Sequence, residues 1–129
     1  LAKLPKFESY ELEAVNKVAA KYASLLKGKV ITPVVKEGFY SSWAQYSIIL
    51  DSRKTRDELQ KYLKEQGIPS MIYYPKPMHK QQAFADVASN DSDFLNTLDL
   101  CETVLALPMH PYMSQDDIET VSQYIINFR

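Results

Sequence analysis

The sequence predicts an α+β fold, an α/β sandwich in which a small sheet is covered by helices. Three observations carry this. Apolar residues recur at helical spacing in stretches separated by short alternating or continuous apolar runs, giving the order helix, strand, helix, strand, helix, strand, helix. Of 129 residues, 46% are hydrophobic and 24% charged, an ordinary globular balance that argues against disorder. The 3 glycines, Gly28, Gly38 and Gly67, stand apart as punctuation between elements. No internal repeat or low-complexity segment is present, so residues 1–129 read as a single domain.

From Ser9 to Lys27 the positions Leu12, Val15, Val18, Ala19, Tyr22, Leu25 and Leu26 follow helical spacing. Ser9 is the expected N-cap, and Gly28 stands where a C′ residue belongs. Residues 30–41 read as a loop with a short strand at Val30-Ile31, because Pro33 and Gly38 interrupt anything longer. From Ser42 to Leu50 two faces alternate, with Ala44, Tyr46, Ile48 and Leu50 on one side, as in a half-buried strand.

Thr55-Arg56-Asp57-Glu58 fits a capping box, so a helix is expected to start there with Leu59, Tyr62 and Leu63 inward. Gly67 ends it, and Ile68 is placed for a Schellman closure. The charged segment from Asp51 to Glu65 is expected to form a solvated helix surface. Ser70 to Tyr74 reads as a short strand stopped by Pro75 and Pro77. Residues 76–92 read as irregular, with one helical turn around Gln81–Phe84. A third helix is expected over Asp93 to Thr103, with Phe94, Leu95, Leu98 and Cys101 inward. Leu105-Ala106-Leu107 is a short buried strand ended by Pro108. Ser114-Gln115-Asp116-Asp117 starts the last helix, whose apolar face is Ile118, Val121, Tyr124, Ile125 and Phe128.

Composition excludes several function classes. Lys plus Arg is 15 and Asp plus Glu is 16, a net charge of 15 − 16 = −1, which disfavours nucleic-acid binding. With 1 cysteine there is no internal disulfide and no Cys-based zinc cluster, so a reducing, cytoplasmic setting is expected. The apolar runs are far too short for a membrane span. The first residues, with Lys3, Lys6 and Glu8, lack the apolar core of a signal peptide. The chain begins at Leu1, and a piece of a longer protein is expected. No P-loop, dinucleotide fingerprint, HExxH, CxxC or GxSxG occurs.

Two loops stand out as binding candidates. Met71-Ile72-Tyr73-Tyr74-Pro75-Lys76-Pro77-Met78-His79 and Leu107-Pro108-Met109-His110-Pro111-Tyr112-Met113 each leave a short strand and carry paired prolines, tyrosine and histidine. Proline limits the freedom lost when a loop orders around a ligand. Tyrosine offers a flat apolar face with a hydroxyl, and histidine a donor and an acceptor, a set suited to a sugar, a base or a phosphate. Simple cover for the sheet edge is the alternative. His79 and His110 as zinc ligands with a carboxylate are a further alternative, against which stands their wide separation along the chain. Trp43 reads as a half-buried anchor at a strand start, and Cys101 as a packed residue.

The motifs Ser42-Trp43-Ala44-Gln45-Tyr46-Ser47-Ile48, Arg56-Asp57-Glu58-Leu59 through Lys64-Glu65-Gln66-Gly67-Ile68-Pro69, Tyr73-Tyr74-Pro75-Lys76-Pro77-Met78-His79 and Leu107-Pro108-Met109-His110-Pro111-Tyr112 occur in one order. In that order they resemble the C-terminal small domain of the DegT/DnrJ/StrS aminotransferases, over essentially the whole chain. The resemblance implies a mostly antiparallel sheet of about three strands covered by about four helices, as in the small domain of fold-type I aminotransferases. It implies a parent enzyme, dependent on pyridoxal phosphate, that aminates a keto group on a nucleotide-linked sugar. The amino donor is expected to be glutamate and the parent a homodimer. The same resemblance places the cofactor-binding lysine in a large N-terminal domain, so this chain alone is expected to be inactive and to bind no pyridoxal phosphate. It places Tyr73 and Tyr74 in the wall of the sugar-nucleotide pocket, with His79 and Trp43 as further substrate-binding candidates. A stand-alone, non-catalytic ligand-binding α+β module is the alternative. Freed from a large domain, the first helix and one sheet face are expected to expose apolar surface and to drive self-association.

Overall fold

The computed structural model describes residues 2–87 and 90–128. The chain enters through a helical turn, α1 (Leu4–Lys6), with Pro5 in its first positions, where a missing N–H costs nothing. It continues through a π-helical turn (Phe7–Glu11) into α2 (Leu12–Leu25). Ser9 therefore lies inside the helical run and does not cap it. Pro5 presets the helical backbone, and the Phe7 amide already donates to Lys3 O at 3.1 Å, one turn ahead of the expected start. α2 buries Val15, Val18, Ala19 and Tyr22 as its spacing predicts. Gly28, at φ +74°, turns the chain back after Leu26.

Only two segments form a continuous ladder. β1 (Tyr46–Ile49) pairs antiparallel with β2 (Val104–Leu107), in the register Tyr46↔Leu107, Ser47↔Ala106, Ile48↔Leu105 and Ile49↔Val104. The expected strands at Val30-Ile31 and Ser70–Tyr74 shrink to single bridges, Ile31 to Ile49 and Met71 to Ala106. Prolines 33, 69 and 75 withhold ladder donors close to both bridges and limit how far either can extend. The strand expected from Ser42 begins only at Tyr46. Trp43 takes a left-handed backbone, φ 47°, that no extended strand accepts, and Ala44 is exposed. Tyr46, Ile48 and Leu50 face inward as expected.

α3 (Arg53–Glu65) differs at its start. Ser52, extended at φ −159° and ψ 161°, is the N-cap, and its hydroxyl accepts from the Thr55 amide at 3.1 Å. Thr55 is the recipient of the cap rather than its donor of oxygen. The other end closes as predicted: Ile68 N–H reaches Leu63 O at 2.9 Å and Gly67 N–H reaches Lys64 O at 3.0 Å, with Gly67 at φ +76°. Arg56 departs from the solvated surface expected of this helix. It is 3% exposed, and its guanidinium bonds Asp57 at 2.6 Å and the Cys101 and Val104 carbonyls at 3.4 and 3.3 Å. A charge at the end of a neighbouring helix satisfies carbonyls that the helix itself leaves unpaired.

After Met71 the chain makes 3-10 turns at Met78–Lys80, Gln82–Phe84 and Asp91–Phe94 before α4 (Leu95–Thr103). Phe94 and Leu95, expected inward, are 38% and 65% exposed, while Leu98 and Cys101 are half-buried. α4 lies at the rim of the core, with Leu95 and Leu100 exposed on it. α5 (Gln115–Asn127) starts at Ser114 with a reciprocal capping box to Asp117 and buries Ile118, Val121 and Ile125. It packs against α2, and the core joins both helices and α3 to the inner face of the ladder. The apolar stripe of α2 is thus already covered. Exposed apolar residues lie in the helical entry, at Leu4 and Tyr10, in the 31–40 loop, with Val34 and Phe39 the most open, along the loop after Met71, at Tyr112 and around α4.

Two stability predictions follow from these contacts. Ser52→Ala is expected to cost about 1 kcal/mol, and Thr55→Ala less than half as much, because only the first removes the cap. Urea unfolding of the two variants side by side checks the order, which a Thr55 cap would reverse. The Tyr46 hydroxyl is buried and makes no hydrogen bond of good geometry, and burial pushes its pKa up to about 12 against the weaker, opposing influence of the Thr32 side chain. Tyr46→Phe is therefore expected to keep or raise stability, by up to about 1 kcal/mol. A clear loss in the same assay would show that the hydroxyl is satisfied.

Candidate functional site

The Met71 bridge delivers the chain to the outer edge of β2, from which it leaves as Tyr73-Tyr74-Pro75-Lys76-Pro77. The peptide between Tyr73 and Tyr74 is cis. Their rings meet edge to face at 5.8 Å and 66°, and Tyr74 is 67% exposed. Beyond them a cleft of about 470 Å3 opens between this loop and α4. One wall is Tyr73, Tyr74, Lys76, Pro77, Met78 and Gln81; the other is Thr97, Leu100, Cys101 and Val104. The loop wall is braced internally. Gln81 Nε2 donates to Lys76 O at 3.0 Å, and the Lys80 and Gln81 amides donate to Pro77 O and Met78 O. An apolar cleft with a few polar groups at its mouth suits a ligand that has a flat face and hydroxyls.

The candidates from sequence divide between this cleft and other places. Tyr73 and Tyr74 line it together. His79 does not: its side chain is 9% exposed and stacks on Phe94 at 4.4 Å and 18°. Its Nε2 lies 3.3 Å from Asp91 Oδ1, whose carboxyl the Lys80 ammonium, with help from His79, holds below the usual carboxylate range. Trp43 is also outside the lining. Its indole N–H donates to Asn16 Oδ1 at 2.9 Å and its ring lies 5.4 Å from that of Tyr46, the anchor reading of the sequence. Cys101 reaches the cleft from α4, and burial pushes its thiol up, so it is held as the unreactive thiol.

The second loop is tied to the helical entry. The Tyr112 hydroxyl donates to the carboxylate of Glu11, which is 4% exposed, while Lys6 lies 5.1 Å over the Tyr112 ring. His110 Nδ1 accepts from the Tyr112 amide at 3.2 Å. Sequence reasoning missed Glu11. The signal was there, since a carboxylate stands four residues before Val15 on the stripe that α2 buries.

The two histidines are thus engaged separately, and among the described residues no three His, Cys, Asp or Glu side chains gather as metal ligands would. Nor does the cleft fit pyridoxal phosphate. Among the described residues Lys76 is its one cation and is exposed, and no carboxylate lines it to face a ring nitrogen.

Comparison with known proteins places this arrangement. The profile of the DegT/DnrJ/EryC1/StrS aminotransferase family matches residues 1–126. A protein of Pseudomonas aeruginosa named UDP-2-acetamido-2-deoxy-3-oxo-D-glucuronate aminotransferase is 37% identical over 128 residues, covering 96% of this chain and 34% of its own length. A Geobacillus stearothermophilus protein named pleiotropic regulatory protein is 36% identical over 120 residues, covering 90% of this chain and 32% of its own. Among solved structures, a DegT DnrJ EryC1 StrS aminotransferase from Brucella abortus superposes with a TM-score of 0.85 at 38% identity, over 92% of this chain and 31% of that one. The chain spans about a third of the length of these relatives. Motif order, fold and similarity agree: this chain belongs to the DegT/DnrJ/EryC1/StrS aminotransferase family.

Proposed function

We propose that this chain is the C-terminal small domain of a pyridoxal-phosphate-dependent aminotransferase that aminates a keto group on a nucleotide-linked sugar. The observation that carries this reading is the Tyr73/Tyr74 cleft, set within a chain whose relatives include a named aminotransferase of a UDP-linked keto sugar. In this reading residues 1–129 form one domain of a longer, cytoplasmic protein. The lysine and carboxylate that hold the cofactor belong, in this reading, to a large domain outside this chain. The cofactor, when bound, supplies the electron sink and carries the amino group. Glutamate is the amino donor, and two subunits form the working dimer.

The work of this chain is then binding. Tyr73 and Tyr74 give aromatic faces and hydroxyls to the sugar nucleotide, and the prolines keep the loop close to its bound form. Lys76, at the mouth, is placed to meet a negative group of the ligand. A domain that shapes a substrate wall and holds no reacting group is inactive alone.

One observation favours a second reading, a non-catalytic ligand-binding module: the G. stearothermophilus relative carries the name of a regulatory protein. The intact gene product separates the two. An aminotransferase shows the absorbance of bound pyridoxal phosphate, loses it on addition of glutamate, and recovers it when a UDP-linked 3-keto sugar is added. A binding module shows none of these changes. In the intact enzyme, Tyr74→Ala is expected to weaken nucleotide-sugar binding by about tenfold, the loss of one exposed aromatic contact, with the cofactor spectrum unchanged. Unchanged affinity takes Tyr74 out of the pocket.

A further inference from the structure

We propose that His79, Asp91 and Phe94 form a clasp that sets the width of the Tyr73/Tyr74 cleft, so that His79 is a positioning residue for the ligand rather than a contact to it. The inference rests on the reading of that cleft as the nucleotide-sugar wall.

The two walls belong to different segments. One is the loop from Tyr73 through Gln81; the other is α4 and the start of β2. No ladder joins them, because the loop has left the sheet at Met71 and α4 lies at the rim of the core. What bridges them is His79 and Lys80 on the 3-10 turn Met78–Lys80 and Asp91 and Phe94 on the turn Asp91–Phe94 that leads directly into α4. His79 stacks nearly parallel on Phe94, and its Nε2 meets Asp91. An ionised carboxylate only accepts, so Nε2 carries the proton and donates it.

Within the turn Met78–Lys80, His79 is the covered side chain. Its neighbour Met78 is 64% exposed and the Lys80 side chain 42%, yet the His79 side chain is 9% exposed. A polar ring covered to that extent in an irregular segment must be paired, and here it is paired on its edge and stacked on its face. Lys80 also bonds Asp91, at 2.7 Å, but from an exposed position where solvent weakens the pair. The joint that combines an edge bond with a face stack, on a ring that is itself covered, is therefore the imidazole. Loss of it frees α4 to move away from Met78 and the tyrosines without altering the chemistry of any cleft-lining side chain.

The test uses the intact protein with His79→Ala, His79→Gln, which keeps an N–H donor, and Asp91→Ala, which alters an exposed side chain and leaves the core untouched. Amide hydrogen exchange of residues 95–103 is followed, with 115–127 in α5 as the internal control. His79→Ala and Asp91→Ala are expected to speed exchange in α4 by about tenfold with α5 unchanged, the mark of a local opening. Both are also expected to raise KM for a UDP-linked keto sugar by about tenfold with kcat and cofactor absorbance retained, and His79→Gln to recover part of that loss. Unchanged exchange in α4 overturns the clasp. Faster exchange with unchanged KM overturns the positioning role. Should the wild-type protein take no nucleotide sugar, the functional reading fails, and the exchange comparison by itself decides the clasp.

Discussion

The whole structure depends on covering one short ribbon. β1 and β2 share only four paired positions, and a two-stranded ribbon of that length has no stability of its own in water. Its inner face carries Tyr46, Ile48, Leu105 and Leu107, all of them buried. α2, α3 and α5 are arranged to exclude water from those four side chains, which is why Tyr22, Leu59, Leu63 and Ile118 reach complete burial. The strands come from distant parts of the sequence, so the ladder closes only after the chain between them has been gathered in.

The brevity of the ribbon also makes the cleft. A longer strand at Met71 would hold Tyr73 and Tyr74 in the sheet, with alternate side chains on opposite faces. A single bridge instead releases the chain after one residue, and the prolines that follow keep it extended away from the edge. Arg56 completes the arrangement from below. By binding carbonyls at the end of α4 and the start of β2, it fixes the far wall to α3 through a buried charge. Removal of one partner from such a site is costly, because the other polar groups stay buried and unpaired.

Local signals were legible in the sequence where the residue itself dictates the backbone. Gly67 with Ile68 gave the Schellman end of α3, and Ser114 with Asp117 gave the start of α5. Where two residues compete, sequence does not decide: Ser52 and Thr55 both suit a cap, and the extended backbone at Ser52 selects it. Helical spacing told that Phe94 and Leu95 form an apolar face, but not whether this chain supplies the cover. For the site, the tyrosine pair and its prolines marked the loop that lines the cleft. The α4 wall was not legible, because Thr97, Leu100 and Cys101 carry no binding signature and meet the tyrosines only in three dimensions. The stack of His79 on Phe94 was not legible either, since it joins segments that no spacing rule connects.

Trp43 carries a consequence of another kind. It is the sole tryptophan of the chain, its indole N–H is bonded to Asn16 of α2, and its ring sits 5.4 Å from Tyr46, which lies 5.1 Å from Tyr22. The three rings form an aromatic relay running from the bend before β1 into the middle of the core. Light absorbed by the two tyrosines is passed to the indole over such distances, and the colour of its emission follows the water around the bend. The fold thereby contains its own optical gauge, outside the cleft, that reads whether α2 and β1 are still packed together.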